Sequence, residues 1–304
     1  MKTFVNLSSS AYSGSTLTAF LLSSHPEIAS ISELTGLIKR VDPEKYHCSC
    51  GKLIKTCEFW TSVTTIMRNK HRDFSINYFG TSFKPRGTSW IDRRQVSALR
   101  WTGLSKIRDQ VYGLLPQYRS HIRNISERNI GLAESILEAS DKDIFLDASK
   151  TPERIRFLKN AVKSEFKLIH LVKDGRGVFD SFKRYYPDMD DRKIITHWCN
   201  VNRWIEHSAQ DIEPDNRYLL PYKSLALNPD GELKKLFKFI GVNHYPAWTD
   251  YRNREHHIIG NNMRIGKKSE IVYDEKWKCT LSSAQLNLFE ELAGDLNRRY
   301  GYED

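Results

Sequence analysis

The chain has 304 residues, 39% of them hydrophobic and 28% charged, a composition that fits a folded globular protein and excludes a disordered or fibrous one. Its 47 Lys and Arg outnumber 37 Asp and Glu and leave a formal charge of +10, which favours anionic partners such as nucleotides, acidic glycans, nucleic acid or a membrane surface. No apolar run approaches the ~20 residues of a membrane span, and Met1–Leu7 is too short for a secretory signal. The expectation is a cytoplasmic chain without stable membrane insertion.

The first element is a strand at Thr3–Leu7. Ser8–Leu22 then passes from that strand through a small-residue loop into a helical pattern marked by Leu17, Phe20 and Leu21. Strand, Gly/Ser turn and helix start make an anion cradle, because first-turn amides lack intrahelical partners and the dipole there is positive. Ser13, Ser15 and Thr16 add hydroxyls, and Gly14 allows close approach of backbone to ligand. The loop lacks both the spacing and the Lys of G-x-x-x-x-G-K-[ST], which disfavours a nucleoside triphosphatase.

Next come His47, Cys48, Cys50 and Cys57, the one clustering among five cysteines. Three thiolates and a His could close a zinc site. The C-x-C spacing has no second C-x-x-C pair, however, so the sequence favours a knuckle-like loop with Cys50–Cys57 or Cys48–Cys57 as the candidate bridge. The odd count argues against a disulfide framework.

From about residue 72 to 140 the pattern changes to aromatics (Trp90, Trp101, Tyr112, Tyr118) among arginines (Arg86, Arg93, Arg94, Arg100). Two readings stand: a helical cap with an ordinary aromatic core, or an acceptor lid whose arginines meet an anionic substrate. Further buried strands are expected at Asp143–Leu146, Phe166–Val172 and Arg217–Leu220, alternating with helices as βαβ units do. Asn228 caps a helix that Pro229 opens and Gly241 stops, with Leu233, Leu236, Phe237 and Ile240 inward. A last helix runs from Ser282 to Tyr300. The fold class is therefore α/β, one domain over 1–304 with a central parallel sheet flanked by helices and a mainly helical insertion.

Ligands of open α/β sheets bind beyond the carboxyl ends of the strands. Those ends lead into the Ser/Gly loop, Asp147-Ala-Ser149-Lys150, Lys173-Asp-Gly-Arg176 with Ser181 on the helix after it, and Tyr222. Cations and hydroxyls thus converge on one rim. Asp147 and Asp174 are read as orienting neighbouring cations.

With these residues in view, the chain resembles the sulfotransferases that use 3′-phosphoadenosine-5′-phosphosulfate (PAPS). Tyr12-Ser-Gly-Ser-Thr-Leu17 is similar to the family's 5′-phosphosulfate loop, R/K-S-G-T-T-L, and His25-Pro26 with Glu33 follows as in its carbohydrate and tyrosyl-protein branches. Leu171–Ser181 resembles the 3′-phosphate motif, in which a basic residue stands eight positions before a Ser. Tyr222-Lys-Ser-Leu, Asn228-Pro and Phe239-Ile-Gly241 match a further signature, as does His257–Arg264 ahead of Trp277. Two positions depart from the pattern: Tyr12 replaces a basic residue, and Lys173 replaces an Arg and loses its bidentate fork.

The resemblance implies a P-loop-kinase-like sulfotransferase fold with PAPS as donor and the 3′,5′-bisphosphate (PAP) as product, no metal requirement, and a small-molecule or glycan acceptor. It assigns Tyr12, Ser13, Gly14, Ser15, Thr16 and Leu17 to the 5′-phosphosulfate, and Lys173, Ser181, Tyr222 and Arg264 to the rest of the nucleotide. Glu33 is the implied general base, ahead of His25, and Lys150 the cation at the leaving oxygen. On residue pattern alone Glu33 reads as a carboxylate at a helix start. A P-loop-like kinase or nucleotide phosphotransferase is the alternative, and a nucleic-acid-binding protein the third reading, although no recognised nucleic-acid motif is present.

Overall fold

The structure, a computed structural model, describes residues 1–36, 42–71, 73–83, 107, 110–266 and 270–303. Five strands form one parallel sheet: β1 (Thr3–Ser9), β2 (Ile28–Ser32), β3 (Ile144–Asp147), β4 (Glu165–Val172) and β5 (Arg217–Pro221), in the order β2-β3-β1-β4-β5. Every residue of β1 is buried, as expected of a central strand covered on both faces.

Alternation along β1 sends Phe4 to one face and Val5 and Leu7 to the other. Phe4, Phe145, Phe166 and Leu168 pack under α2 (Glu58–Lys70), α3 (Pro116–Ser140) and α4 (Glu153–Ala161). Val5, Leu7, Ile169 and Leu171 pack under α1 (Ser15–Ser23) and, beyond α5 (Gly175–Tyr185), α6 (Asp191–Ala209) and the short α7 (Tyr222–Leu227), under α8 (Pro229–Ile240). The inward stripe of α8 is Leu233, Leu236, Phe237 and Ile240, as its spacing predicts, with Asn228 accepting from the Gly231 amide at the start and Gly241 left-handed at the end. α9 (Trp277–Thr280) and α10 (Ser283–Arg299) close a third cluster on α5 and α6; Ser282 and Gln285 form a capping box at the start of α10.

Two features differ from the sequence expectation. β2 was not foreseen, because Ile28-Ala-Ser-Ile-Ser32 carries two serines in five buried positions. The Ser30 hydroxyl offsets its burial by donating to the Leu146 carbonyl at 2.8 Å. Glu33 consequently follows a strand, not a helix start. The second half of the expected insertion is α3, whose Leu132, Ala133, Ile136 and Leu137 sit in the sheet core. Trp90, Trp101, Arg86, Arg93, Arg94 and Arg100 lie outside the described residues.

At the carboxyl edge, Asp147 forms a fully buried ion pair with Arg154, its Oδ2 2.9 Å from Nη2. Oδ1 accepts from the Ser149 amide at 3.0 Å and from the Ser149 hydroxyl. This fastens the turn that presents Lys150. Asp174 pairs likewise with Arg176 and caps α5 through the Arg176 amide at 2.9 Å.

Candidate active site

β1 ends in Ser9, and the chain turns through Ser10–Gly14 into α1. Tyr12 has φ 61° and Gly14 φ 92°, both left-handed. At Gly14 a Cβ would stand 2.6 Å from the Tyr222 ring, so the loop lies flat on that ring only because the residue is glycine. The Ser10 and Ser13 hydroxyls bond each other at 2.6 Å and tie the loop's base together. The first-turn amides of Ser15, Thr16 and Leu17 have no carbonyl behind them within α1. Gly14, Ser15 and Thr16 face a cleft of 420 Å³.

The same cleft is lined by Tyr12, Glu33, Lys150 and Ser181. Four strand ends deliver these groups: β1 the loop, β2 Glu33, β3 Lys150 and β4, through α5, Ser181. Lys150 and Glu33 are ion-paired, each about a fifth to a quarter exposed. Ser181 lines the cleft and donates its hydroxyl to the Gly177 carbonyl at 2.8 Å. A larger hollow of 740 Å³ opens at the opposite, amino-terminal edge of the sheet beside Met1 and Ser164 and holds none of these residues.

Lys173 is not among the residues lining the cleft; it is half-buried, with Nζ 5.6 Å from the centroid of the Tyr222 ring that lies against Gly14. Burial lowers its pKa from the ordinary 10.5. Tyr222 serves as the loop's platform: its hydroxyl donates to the Val272 carbonyl at 3.2 Å, and burial pushes its pKa up to about 12. In this structure the Tyr222 hydroxyl is engaged with that carbonyl and the ring face supports Gly14. Tyr12 stacks on Tyr185 at 5.2 Å and meets Phe182 edge-on; burial first, then Tyr186 and Tyr185, raises its pKa to about 12. It is a neutral phenol and supplies no charge in place of the family's basic residue. Leu17 is buried and offers only its backbone.

Arg264 corrects an expectation. Its Nε donates to the His47 carbonyl at 2.9 Å, its Nη1 to the Gly260 carbonyl at 2.8 Å, and the guanidinium lies 3.9 Å from the Tyr46 centroid. Two carbonyls and an aromatic face already hold this buried cation, so it braces the loop instead of reaching the cleft. Gly260, Asn261 and Met263 of that loop do form the cleft wall. His25 is also turned away, its Nε2 bonded to the Asn243 carbonyl at 3.1 Å.

Sequence reasoning missed Arg184, Tyr185 and Asp274, which also line the cleft. Arg184 was legible in principle: it follows Ser181 by three positions and so shares its helical face. Among the described residues, the one cluster of three or more metal-ligating side chains lies outside the cleft.

The model of the sulfotransferase family matches residues 10–247, which contain the loop, Glu33, Lys150, Lys173, Ser181 and Tyr222. The chain belongs to the sulfotransferase family. Two relatives named omega-hydroxy-beta-dihydromenaquinone-9 sulfotransferase Stf3, from Mycobacterium bovis and Mycobacterium tuberculosis, are each 21% identical over 218 residues, 62% of this chain and 51% of theirs. The chain thus spans about half the length of the curated relatives it matches. Among solved structures, the sulfotransferase domain of the curacin biosynthetic pathway matches with a TM-score of 0.56 at 16% identity, covering 100% of this chain and 99% of that one. The sulfotransferase domain of the Synechococcus PCC 7002 olefin synthase matches with 0.55 at 16% identity over 96% and 94%. These likenesses show that the parallel sheet with flanking helices is the sulfotransferase fold.

Proposed function

We propose that the chain transfers a sulfuryl group from PAPS to the hydroxyl of a small-molecule acceptor. The observation that carries the reading is the convergence of the Gly14–Thr16 loop, Glu33, Lys150 and Ser181 on one 420 Å³ cleft at the sheet's carboxyl edge. In this reading the amides of Gly14 to Leu17 hold the 5′-phosphosulfate, with the Ser15 and Thr16 hydroxyls beside them. Lys173 and Ser181 take the 3′-phosphate, and Arg184 provides the fork that Lys173 lacks.

The acceptor oxygen attacks sulfur in line as the bond from sulfur to the bridging oxygen breaks. Its proton passes to the Glu33 carboxylate, and the bond's electron pair leaves with the phosphate of PAP. The Lys150 ammonium, paired with Glu33 before substrates arrive, is the cation placed to stabilise charge on the departing oxygen. Sulfuryl transfer needs cations for this charge, and Lys150 and Arg184 are those that line the cleft. The curated relatives carry an omega-hydroxy compound in their name, which supports a hydroxyl acceptor on a small molecule ahead of the carbohydrate suggested by the sequence branch.

The test is transfer of labelled sulfate from PAPS, without added magnesium or chelator, to a panel of hydroxylated quinones, other alcohols, phenols and glycans. Transfer to a panel member is expected, with the Glu33→Gln variant slower by about 100-fold or more at unchanged PAP affinity. Phosphoryl transfer from Mg-ATP with none from PAPS would make the protein a kinase, and full turnover by Glu33→Gln would remove Glu33 as the base.

A further inference from the structure

We propose that Cys48, Cys50, Cys57 and His257 form a structural Zn²⁺ site that clasps the knuckle at Tyr46–Cys57 to the loop walling the cleft. The ligand atoms of all four residues lie within 4.8 Å of one another. Cys50 Sγ is 3.6 Å from Cys57 Sγ, and His257 Nδ1 is 3.6 Å from Cys48 Sγ and 3.4 Å from Cys57 Sγ. A tetrahedral zinc with usual bond lengths sets sulfurs about 3.8 Å apart and sulfur from nitrogen about 3.6 Å. Three of the six edges of the ligand shell therefore match to within a few tenths of an ångström, and the other three are no longer than 4.8 Å.

Three further observations point to a metal and not to a bridge between two thiols. All three cysteines are free and converge together with an imidazole, whereas a bridge would use two sulfurs and leave the third and the ring without purpose. The far side of the imidazole is fixed: Nε2 lies 3.1 Å from the Glu255 carboxylate, which takes its proton as a hydrogen bond and leaves the Nδ1 lone pair facing the sulfurs. Phe59 stacks on the ring at 4.1 Å and 3°, holding its plane. The cysteines themselves are set by tight backbone. Gly51, at φ 86°, turns the chain after Cys50 and donates to the Cys48 carbonyl at 3.0 Å, and Cys57 immediately precedes α2.

The sequence offered His47 as the fourth ligand, but its Nδ1 contacts the Lys45 carbonyl at 3.1 Å. The actual fourth group comes from a loop 200 residues beyond Cys57. On binding, Zn²⁺ would displace the protons of the three thiols to solvent and accept the neutral imidazole. The clasp meets the cleft through the same loop. Ser49 donates to the His256 carbonyl at 2.6 Å and accepts from the Ile258 amide at 2.8 Å, and the Tyr46 hydroxyl accepts from the Gly260 amide at 2.7 Å. Gly260, Asn261 and Met263 then wall the cleft. The ion would fix that wall without touching the reactants.

The test is elemental analysis of the untagged full chain, purified in reductant without chelator. About one zinc per chain is expected. Co²⁺ added to the metal-stripped chain should give the visible bands of a tetrahedral, thiolate-rich site, a readout that needs no variant to fold. Cys57→Ser and His257→Ala should each bind the metal about 100-fold or more weakly, while His47→Ala keeps it. The proposal is overturned by a reduced chain with neither zinc nor Co²⁺ bands, by a Cys50–Cys57 disulfide in the freshly purified protein, or by full zinc content in His257→Ala.

Discussion

In the proposed function Lys173 is the residue on which donor affinity turns. Burial disfavours its charged form and lowers its pKa, against the pull of Asp274, Asp174 and Asp180 and with the push of Arg184. A phosphate arriving beside it favours the charged form. Donor affinity should therefore be full where Lys173 is protonated and fall as pH rises through its lowered pKa, earlier than for an exposed lysine. Measured as Kd for PAP against pH, Lys173→Arg should remove this alkaline limb and Lys173→Ala should weaken binding about 10- to 100-fold at neutral pH. An alkaline limb unchanged in Lys173→Arg would take Lys173 out of the phosphate site. At this scale the sequence was a mixed guide. Glu33, Lys150 and Ser181 were legible because a motif and a strand end coincide, whereas the orientations of Arg264 and the Tyr222 hydroxyl depend on carbonyls contributed by distant loops.

The strand–loop–helix of β1 and α1 is an element whose geometry admits one residue at its apex. Gly14 combines φ 92° with a Cβ direction that runs into Tyr222. Gly14→Ala adds the left-handed penalty of about 1–2 kcal/mol and a clash with an aromatic ring that Lys173 and the Val272 carbonyl hold in place. PAP affinity should drop at least about tenfold, read by calorimetry, with the fold retained by circular dichroism. Unchanged affinity in a folded Gly14→Ala protein would contradict the loop's role as cradle. Elements with one dominant pattern, such as α8 and α10, were legible almost to the residue. β2 was not, since its Ser30 hydroxyl finds its partner in β3 and no local signal announces it.

For the whole molecule, the parallel sheet is what turns scattered motifs into a site. Register places Asn6 opposite Asp147, Ser9 opposite Leu171 and Val172 opposite Pro221, so the strands end near one level and their loops face one cleft. That consequence of topology was visible in outline from the spacing of apolar runs. The meeting of Cys57 with His257 was not, because nothing local relates two segments so far apart. Among the described residues no helix is long and apolar enough to cross a membrane. The molecule thus joins a loop of free amides, the Glu33–Lys150 pair and a braced wall around one cleft, which the proposed function fills with a nucleotide carrying phosphate at both ends.

The most direct measurement of that claim is calorimetric titration of the full chain with PAP and with AMP in magnesium-free buffer without chelator. The account predicts one micromolar PAP site that needs no magnesium, with AMP weaker by about tenfold or more because the 3′-phosphate contacts are lost. Equal affinity for PAP and AMP, or no binding of either, would contradict it.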